Sequence, residues 1–171
     1  MVARSVLAEL LIVPGQRVTT VGRLDGTPGH PTATLWTLFP QDPTSTQRLQ
    51  GGSVVVHGTQ VSTAARGVPV VVNGVWDGTE IHDAQLKPAR DEELRIVTVL
   101  GDPDHPPPPE VADEIRLAAL EERDAVATTI SFGGSQERVH HYVLTVTKGL
   151  IDVVDRGLIR TEIRVAITPE R

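Results

Sequence analysis

Three runs of β-forming residues follow one another between residues 51 and 89, and they constrain the fold more than any other stretch of the chain. Val54, Val55 and Val56 lie in the first run, and valines fill most of the second. Because β-branched side chains favour extended backbone, both runs predict strands. Asp77-Gly78 then separates the second run from the third and predicts a two-residue hairpin turn. The stretch predicts a β-barrel or a tightly rolled sheet.

Two glycines and one proline refine this prediction. Gly58 and Gly74 are expected inside strands, where glycine often marks a bulge or a sharp bend. Pro69 cannot donate a hydrogen bond to a neighbouring strand, so it predicts the start of a strand or an edge position. The N-terminal third repeats the pattern of a β run, a glycine and Asp-Gly, which fits strands of one barrel that each bend.

Five short strands are predicted in the first half of the chain, after a short helix over residues 2–13. This arrangement resembles the OB-fold, a five-stranded Greek-key barrel that often binds oligonucleotides or oligosaccharides. The family usually has a helix between its third and fourth strands, whereas residues 62–67 are too short for one. We therefore expect an OB-like barrel domain over residues 1–90 without that helix. The predicted strands span residues 16–24, 32–39, 53–61, 68–76 and 79–87.

The second half, residues 91–171, predicts an α+β unit. Pro109 and the acidic residues of the first turn favour one main helix over residues 110–124. Antiparallel strands are expected after it, with residues 150–154 pairing with residues 158–167. The interpretation of residues 139–155 stays open between strand and helix, since a helix there would also bury Val143, Val146 and Leu150. The fold class is thus mainly β or α+β.

Composition limits the chemistry that the chain can perform. It has no cysteine, which excludes disulfides, thiolate zinc sites and a cysteine nucleophile and agrees with a cytoplasmic protein. No apolar run approaches the roughly 20 residues of a membrane-spanning helix. Residues 1–90 carry seven Lys/Arg and six Asp/Glu, a net charge of +1, so the remaining residues carry −7 of the total of −6. The acidic half is a poor surface for nucleic acid.

The two tryptophans define one candidate site. Trp36 and Trp76 both fall in the predicted barrel, where they could stack on bases beside nearby cations. Packing inside the barrel is the competing explanation, because large aromatic side chains usually stabilise proteins by burial. The cations named for the nucleic-acid site are Arg23, Arg48, Arg66 and Lys87.

Histidines give weaker indications. His82 and Asp83 are adjacent, as are His140 and His141, so on a strand the members of each pair point to opposite faces and do not easily chelate one ion. The cluster of Asp102, Asp104 and His105 reads as a solvated acidic loop. The sequence therefore predicts no catalytic residue, no metal ligand and no cofactor.

Three functions remain as hypotheses. The first is a non-enzymatic binding or assembly module that acts through protein–protein contacts, with self-association or a protein partner. The second is single-stranded nucleic-acid binding by the barrel. The third is an enzyme with His82, Asp83 or His140 in a cleft between the two halves.

Overall fold

The computed structural model describes residues 7–38, 50–90, 97–99, 127–133, 136–155 and 162–171, and these form a mainly β protein. The strands and helices, in chain order, are β1 (Arg17–Asp25), β2 (Thr32–Leu38), β3 (Gln50–His57), α1 (Thr59–Thr63), β4 (Pro69–Trp76), β5 (Ile81–Pro88), β6 (Val97–Val99), β7 (Ala127–Gly133), β8 (Gln136–Val143), α2 (Lys148–Asp155), β9 (Glu162–Val165) and β10 (Thr168–Pro169).

The chain divides into two compact units that exchange their terminal segments. One unit comprises Ile12–Ile96 and Ala166–Arg171, and the other comprises Met1–Leu11 and Val97–Val165. We call the first the ring unit. No helix among the described residues has the length and apolar character needed to cross a membrane.

The ring unit contains a six-stranded mixed sheet in the order β10-β1-β2-β3-β5-β4, and β4 also pairs with β1. Strands β1 to β5 therefore close into a ring, although it is not a regular barrel. The β3–β5 join is parallel and has one register pair, Val56 with Ile81, while the β1–β4 join has seven pairs. Strand β10 adds to β1 at Val18 and Thr19.

Alternation of side chains along the strands separates the interior of the ring from its outer face. In β1 every second residue from Val18 to Leu24 is buried, as expected for strands with one wet face. Val56, Val72 and Ile81 have no exposed surface, and full burial of such a side chain stabilises a protein by about 1.5–3 kcal/mol. These interior contacts hold the outward-facing residues in fixed positions.

The glycine and proline predictions hold at two positions. Pro69 begins β4, and Gly74 lies where the register between β4 and β5 shifts. A Cβ on Gly74 would lie 2.5 Å from Ile81 Cγ2 and 2.6 Å from the His82 carbonyl oxygen, so only glycine fits this approach. Gly58, by contrast, follows the end of β3 rather than lying inside the strand.

The third strand predicted over residues 53–61 is present but ends earlier, and the prediction of no helix after it was wrong. Strand β3 ends at His57, and α1 occupies residues that were assigned to the strand. Gly58, between β3 and α1, approaches β5 so closely that a Cβ would lie 2.8 Å from the Ala84 carbonyl oxygen, so only glycine fits there. The chain turns there, and α1 buries Val61.

The predicted two-residue turn at Asp77-Gly78 is in fact a four-residue connection, residues 77–80. The Asp77 side chain bonds to backbone N–H groups further along this loop and extends it. At the N-terminus, residues 7–9 are helical and Leu11 already bridges Val146, so the helix ends before the predicted residue 13.

The second sheet has the order β6-β9-β8-β7 and is mixed rather than antiparallel. Residues predicted as a strand over 150–154 lie in α2, which connects the parallel strands β8 and β9. Parallel neighbours need such a crossover, which the sequence pattern alone does not reveal. Residues 139–155 contain both a strand and a helix. The predicted helix over residues 110–124 lies outside the described residues.

Candidate functional site on the outer face of the ring

Trp36 is the exposed tryptophan of the ring and lies on its outer face. Its side chain is 38% exposed, and its register partners are Arg23 on β1 and Ser53 on β3. Arg23 is half-buried, and its Nε is a buried donor that has no hydrogen-bond partner among the residues that the structure describes. The outer face thus places Trp36 and Arg23 at paired positions on neighbouring strands, and the stacking site stays a prediction.

Two other residues of the predicted nucleic-acid site, Trp76 and Arg66, do not join this pair. Trp76 is only 6% exposed and packs inside the ring, so its ring is not available for stacking. The Arg66 guanidinium donates hydrogen bonds to the carbonyl oxygens of Val61 (2.8 Å), Ala64 (2.9 Å) and Thr27 (3.2 Å). These bonds connect the loop after α1 to α1 and to the β1–β2 loop. Lys87 is exposed on β5 opposite Val71, and Arg48 lies outside the described residues.

A second cluster lies where β3 and β5 meet. Because Val56 pairs in parallel with Ile81, the next residues on the two strands, His57 and His82, are neighbours on the outer face. Their imidazole rings stack with centroids 4.6 Å apart and an interplanar angle of 4°. Glu80, in the loop before β5, completes the cluster. We call His57, Glu80 and His82 the imidazole cluster.

Hydrogen bonds fix the orientation of both rings. His57 Nε2 lies 2.5 Å from Glu80 Oε2, and its Nδ1 lies 3.0 Å from Thr32 Oγ1 on β2. His82 Nε2 lies 2.7 Å from Asp77 Oδ2. Each imidazole therefore has a carboxylate of its own, and Thr32, His57 and Glu80 form a continuous hydroxyl–imidazole–carboxylate series.

Asp77 organises the loop that carries Glu80. Its Oδ1 accepts hydrogen bonds from the N–H groups of Glu80 (2.7 Å) and Thr79 (2.8 Å) and from the Thr79 hydroxyl (3.2 Å). These donors, first the Glu80 and Thr79 amides and then His82, hold the pKa of the Asp77 carboxyl well below its usual range. The carboxylate stays ionised at neutral pH and faces His82.

The structure pairs His82 with Asp77 rather than with the adjacent Asp83. Asp83 is exposed and has a φ of 51°, a conformation that turns the chain at this point of β5. The His140 side chain lies outside the described part of the chain. Of the residues of the predicted enzyme site, His82 and Asp83 are therefore not paired with each other, and the enzyme hypothesis stays a prediction.

Sequence reasoning missed the imidazole cluster because His57 lies 25 residues before His82 and only strand pairing brings these two residues together. The sequence did contain one indication: His57 lies at the end of one β run, and His82 lies near the start of another, just after the hairpin loop. Searches against models of protein families, curated proteins and solved structures found no match to this chain.

Proposed function

We propose that the ring of β1 to β5 is an OB-like barrel and that the chain is a non-enzymatic binding or assembly module. The pairing order, in which β1 joins both β2 and β4 while β3 joins β5, supports a five-stranded Greek-key ring. The position of α1 between the third and fourth strands is also where OB-folds usually have a helix. Function must then be argued from the surfaces of this ring.

The observation that carries the assembly function is the second edge of β3. One edge pairs with β2 from Gln50 to His57, but the other pairs with β5 at Val56 alone. Among the described residues, 51–55 therefore have no strand on that edge. The segment Gly-Gly-Ser-Val-Val carries no charge and no proline, the two features that commonly protect strand edges. It is suited to accept another strand.

A second copy of the chain is the occupant that the edge fits. Antiparallel pairing of β3 with β3 of a second copy is self-complementary, as a twofold dimer requires. A twofold axis through the middle of residues 51–55 places Ser53 opposite its own copy, next to the exposed Trp36. Backbone hydrogen bonds and the tryptophan would then contribute to the same interface.

We expect the wild-type chain to form a dimer, and the double variant Ser53→Lys/Val55→Lys to weaken it by about tenfold or more, because like charges face each other across the paired strands. Sedimentation equilibrium over a range of concentrations measures the dissociation constant.

The matched control is Thr63→Lys/Ala65→Lys, which adds the same charge at exposed positions on and after α1. It should leave the dimer intact. A wild-type chain that is monomeric at every concentration, or equal weakening by both double variants, would contradict pairing through β3.

Trp36 beside Arg23 specifically favours single-stranded nucleic-acid binding as a second candidate function. In OB-folds the face of strands 2 and 3 binds oligonucleotides, and Trp36 lies on β2 facing outward. The proposal now depends on one tryptophan instead of two, since Trp76 is buried.

For this candidate, Trp36→Ala should weaken binding of labelled single-stranded DNA by about tenfold, since stacking one base on an aromatic side chain contributes about 1–3 kcal/mol. Fluorescence anisotropy at low and moderate salt measures the affinity. Val68→Ala, which shortens another exposed apolar side chain, should leave it unchanged. Absence of binding at low salt would exclude this function.

A further inference from the structure

We infer that His57, Glu80 and His82 form a binding site for a divalent transition metal ion, with Zn²⁺ as the best match to their chemistry. The inference rests on the imidazole cluster and does not depend on the dimer or on nucleic-acid binding. One metal-binding atom from each residue lies within 4.8 Å of the other two. Two imidazole nitrogens and one carboxylate oxygen are a ligand set found in zinc sites.

Metal binding requires small side-chain movements: the 2.5 Å between His57 Nε2 and Glu80 Oε2 must widen, while longer separations within the 4.8 Å cluster must shorten. Bonds of about 2.0–2.2 Å in a tetrahedral site place ligand atoms roughly 3.3 Å apart. The side chains of His57, Glu80 and His82 are 31%, 37% and 42% exposed, so they can move toward a common centre without disturbing the core. Their backbones are already held by the Val56–Ile81 pair and by the loop of residues 77–80.

The contacts around the cluster supply the outer groups that metal sites use. A histidine ligand usually binds the metal through one ring nitrogen while the other bonds to an oxygen atom. Thr32 Oγ1 occupies Nδ1 of His57, which leaves Nε2 beside Glu80 as the ligand atom. Asp77 Oδ2 occupies Nε2 of His82, which leaves Nδ1. Thr32 and Asp77 are therefore positioning residues.

The ligand types decide which ion fits. Mg²⁺ and Ca²⁺ prefer oxygen ligands, whereas imidazole suits Zn²⁺ and neighbouring first-row metals. With three protein ligands, water completes the coordination of a four-coordinate ion. The site faces solvent on the outer face of the ring, so exchange with ions in solution is unobstructed among the described residues.

Two separate histidine–carboxylate pairs are the alternative explanation of the cluster. Each pair alone would satisfy its own imidazole, and nearly parallel rings with centroids 4.6 Å apart are within the range of ordinary aromatic stacking. A shared metal ion would instead give both imidazoles a common partner, so titration with the ion separates the two explanations.

Isothermal titration calorimetry of Zn²⁺ into the untagged, chelator-treated full chain tests the site. We expect one ion per chain with a Kd of about 10 μM or tighter. His57→Gln and Glu80→Gln should each weaken binding more than about 100-fold, since each removes a ligand. Asp77→Asn should weaken it by about 10–100-fold, as loss of an outer carboxylate does at other metal sites.

His30→Gln is the matched control, because His30 is an exposed histidine in the β1–β2 loop outside the cluster. It should bind Zn²⁺ as the wild type does, and Co²⁺ added in place of Zn²⁺ should give the visible absorption of tetrahedral coordination. Circular dichroism checks that each variant is folded. If His57→Gln does not fold, the Kd of Glu80→Gln tests the site instead. Wild-type affinity weaker than about 1 mM, or an unchanged Kd in a folded ligand variant, would overturn the assignment.

Discussion

Gly74→Ala should lower the free energy of unfolding of the ring unit by about 3 kcal/mol, because the added methyl group has no space and the atoms that block it include backbone. Its Cβ would overlap Ile81 Cγ2 and the His82 carbonyl oxygen, at 2.5 Å and 2.6 Å. Relief requires β5 to move away from β4 at the position where their register shifts. Both tryptophans belong to the ring unit, so urea unfolding followed by tryptophan fluorescence measures this unit specifically.

Asn73→Ala is the control for Gly74→Ala. Asn73 is half-buried on the outer face one residue earlier, and its truncation adds nothing to the interior. We expect this variant to change the free energy of unfolding by about 1 kcal/mol or less. If Gly74→Ala unfolds at the same urea concentration as the wild type, the close approach of β5 to β4 is not present in solution.

Ile81→Ala should lower the free energy of unfolding of the ring unit by about 2–5 kcal/mol, the range for truncating a buried isoleucine to alanine. Ile81 has no exposed surface and is the β5 member of the one β3–β5 register pair, so its loss leaves a cavity at the weakest join of the ring. The same urea experiment measures the effect. Val68→Ala removes an aliphatic group that is 47% exposed, and it should stay within about 0.5 kcal/mol of the wild type.

The double variant Gly74→Ala/Ile81→Ala tests whether the contact between residue 74 and the Ile81 side chain causes part of the Gly74→Ala effect. Removing the Ile81 side chain eliminates the contact with Cγ2, so the double variant should lose about 1 kcal/mol less than the sum of the single variants. Strict additivity would show that the Gly74 methyl group clashes with the backbone of β5 alone. A smaller loss of stability for Ile81→Ala than for Val68→Ala would contradict the position of Ile81 in the core.

The sequence predicted the strands of the ring because their chemistry is local. Valine-rich runs identify β3 and β4. Pro69 begins β4, and Gly74 lies at the register shift between β4 and β5, as expected for residues that cannot donate a hydrogen bond or that lack a side chain. The start of α1 was missed because Val61 was taken as the end of the β run that begins at Val54, whereas Gly58 comes into close contact with Ala84, a residue far along the chain. Local residue patterns do not contain that contact.

In the candidate sites, too, local sequence patterns indicate some residues, whereas others come together only through contacts between distant parts of the chain. The sequence named Trp36 and Arg23 as candidates because tryptophan is rare in this chain and arginine is the cation that pairs with stacked bases, and their register pairing follows from β1 and β2 being neighbours. The imidazole cluster was not anticipated, because His57 and His82 become neighbours through the parallel pairing of Val56 with Ile81. Considered alone, His82 suggested its chain neighbour Asp83, whereas the loop of residues 77–80 supplies Asp77 instead.

The exchange of terminal segments between the two units has a consequence during translation. The ring strands β1 to β5 are contiguous in the chain, so the ring can close on the ribosome as soon as Pro88 has emerged. Strand β10, which covers the edge of β1 at Val18 and Thr19, is synthesised on the order of ten seconds later. During that interval the nascent ring exposes a second open edge, and a chaperone that shields strand edges would have its largest effect on yield then.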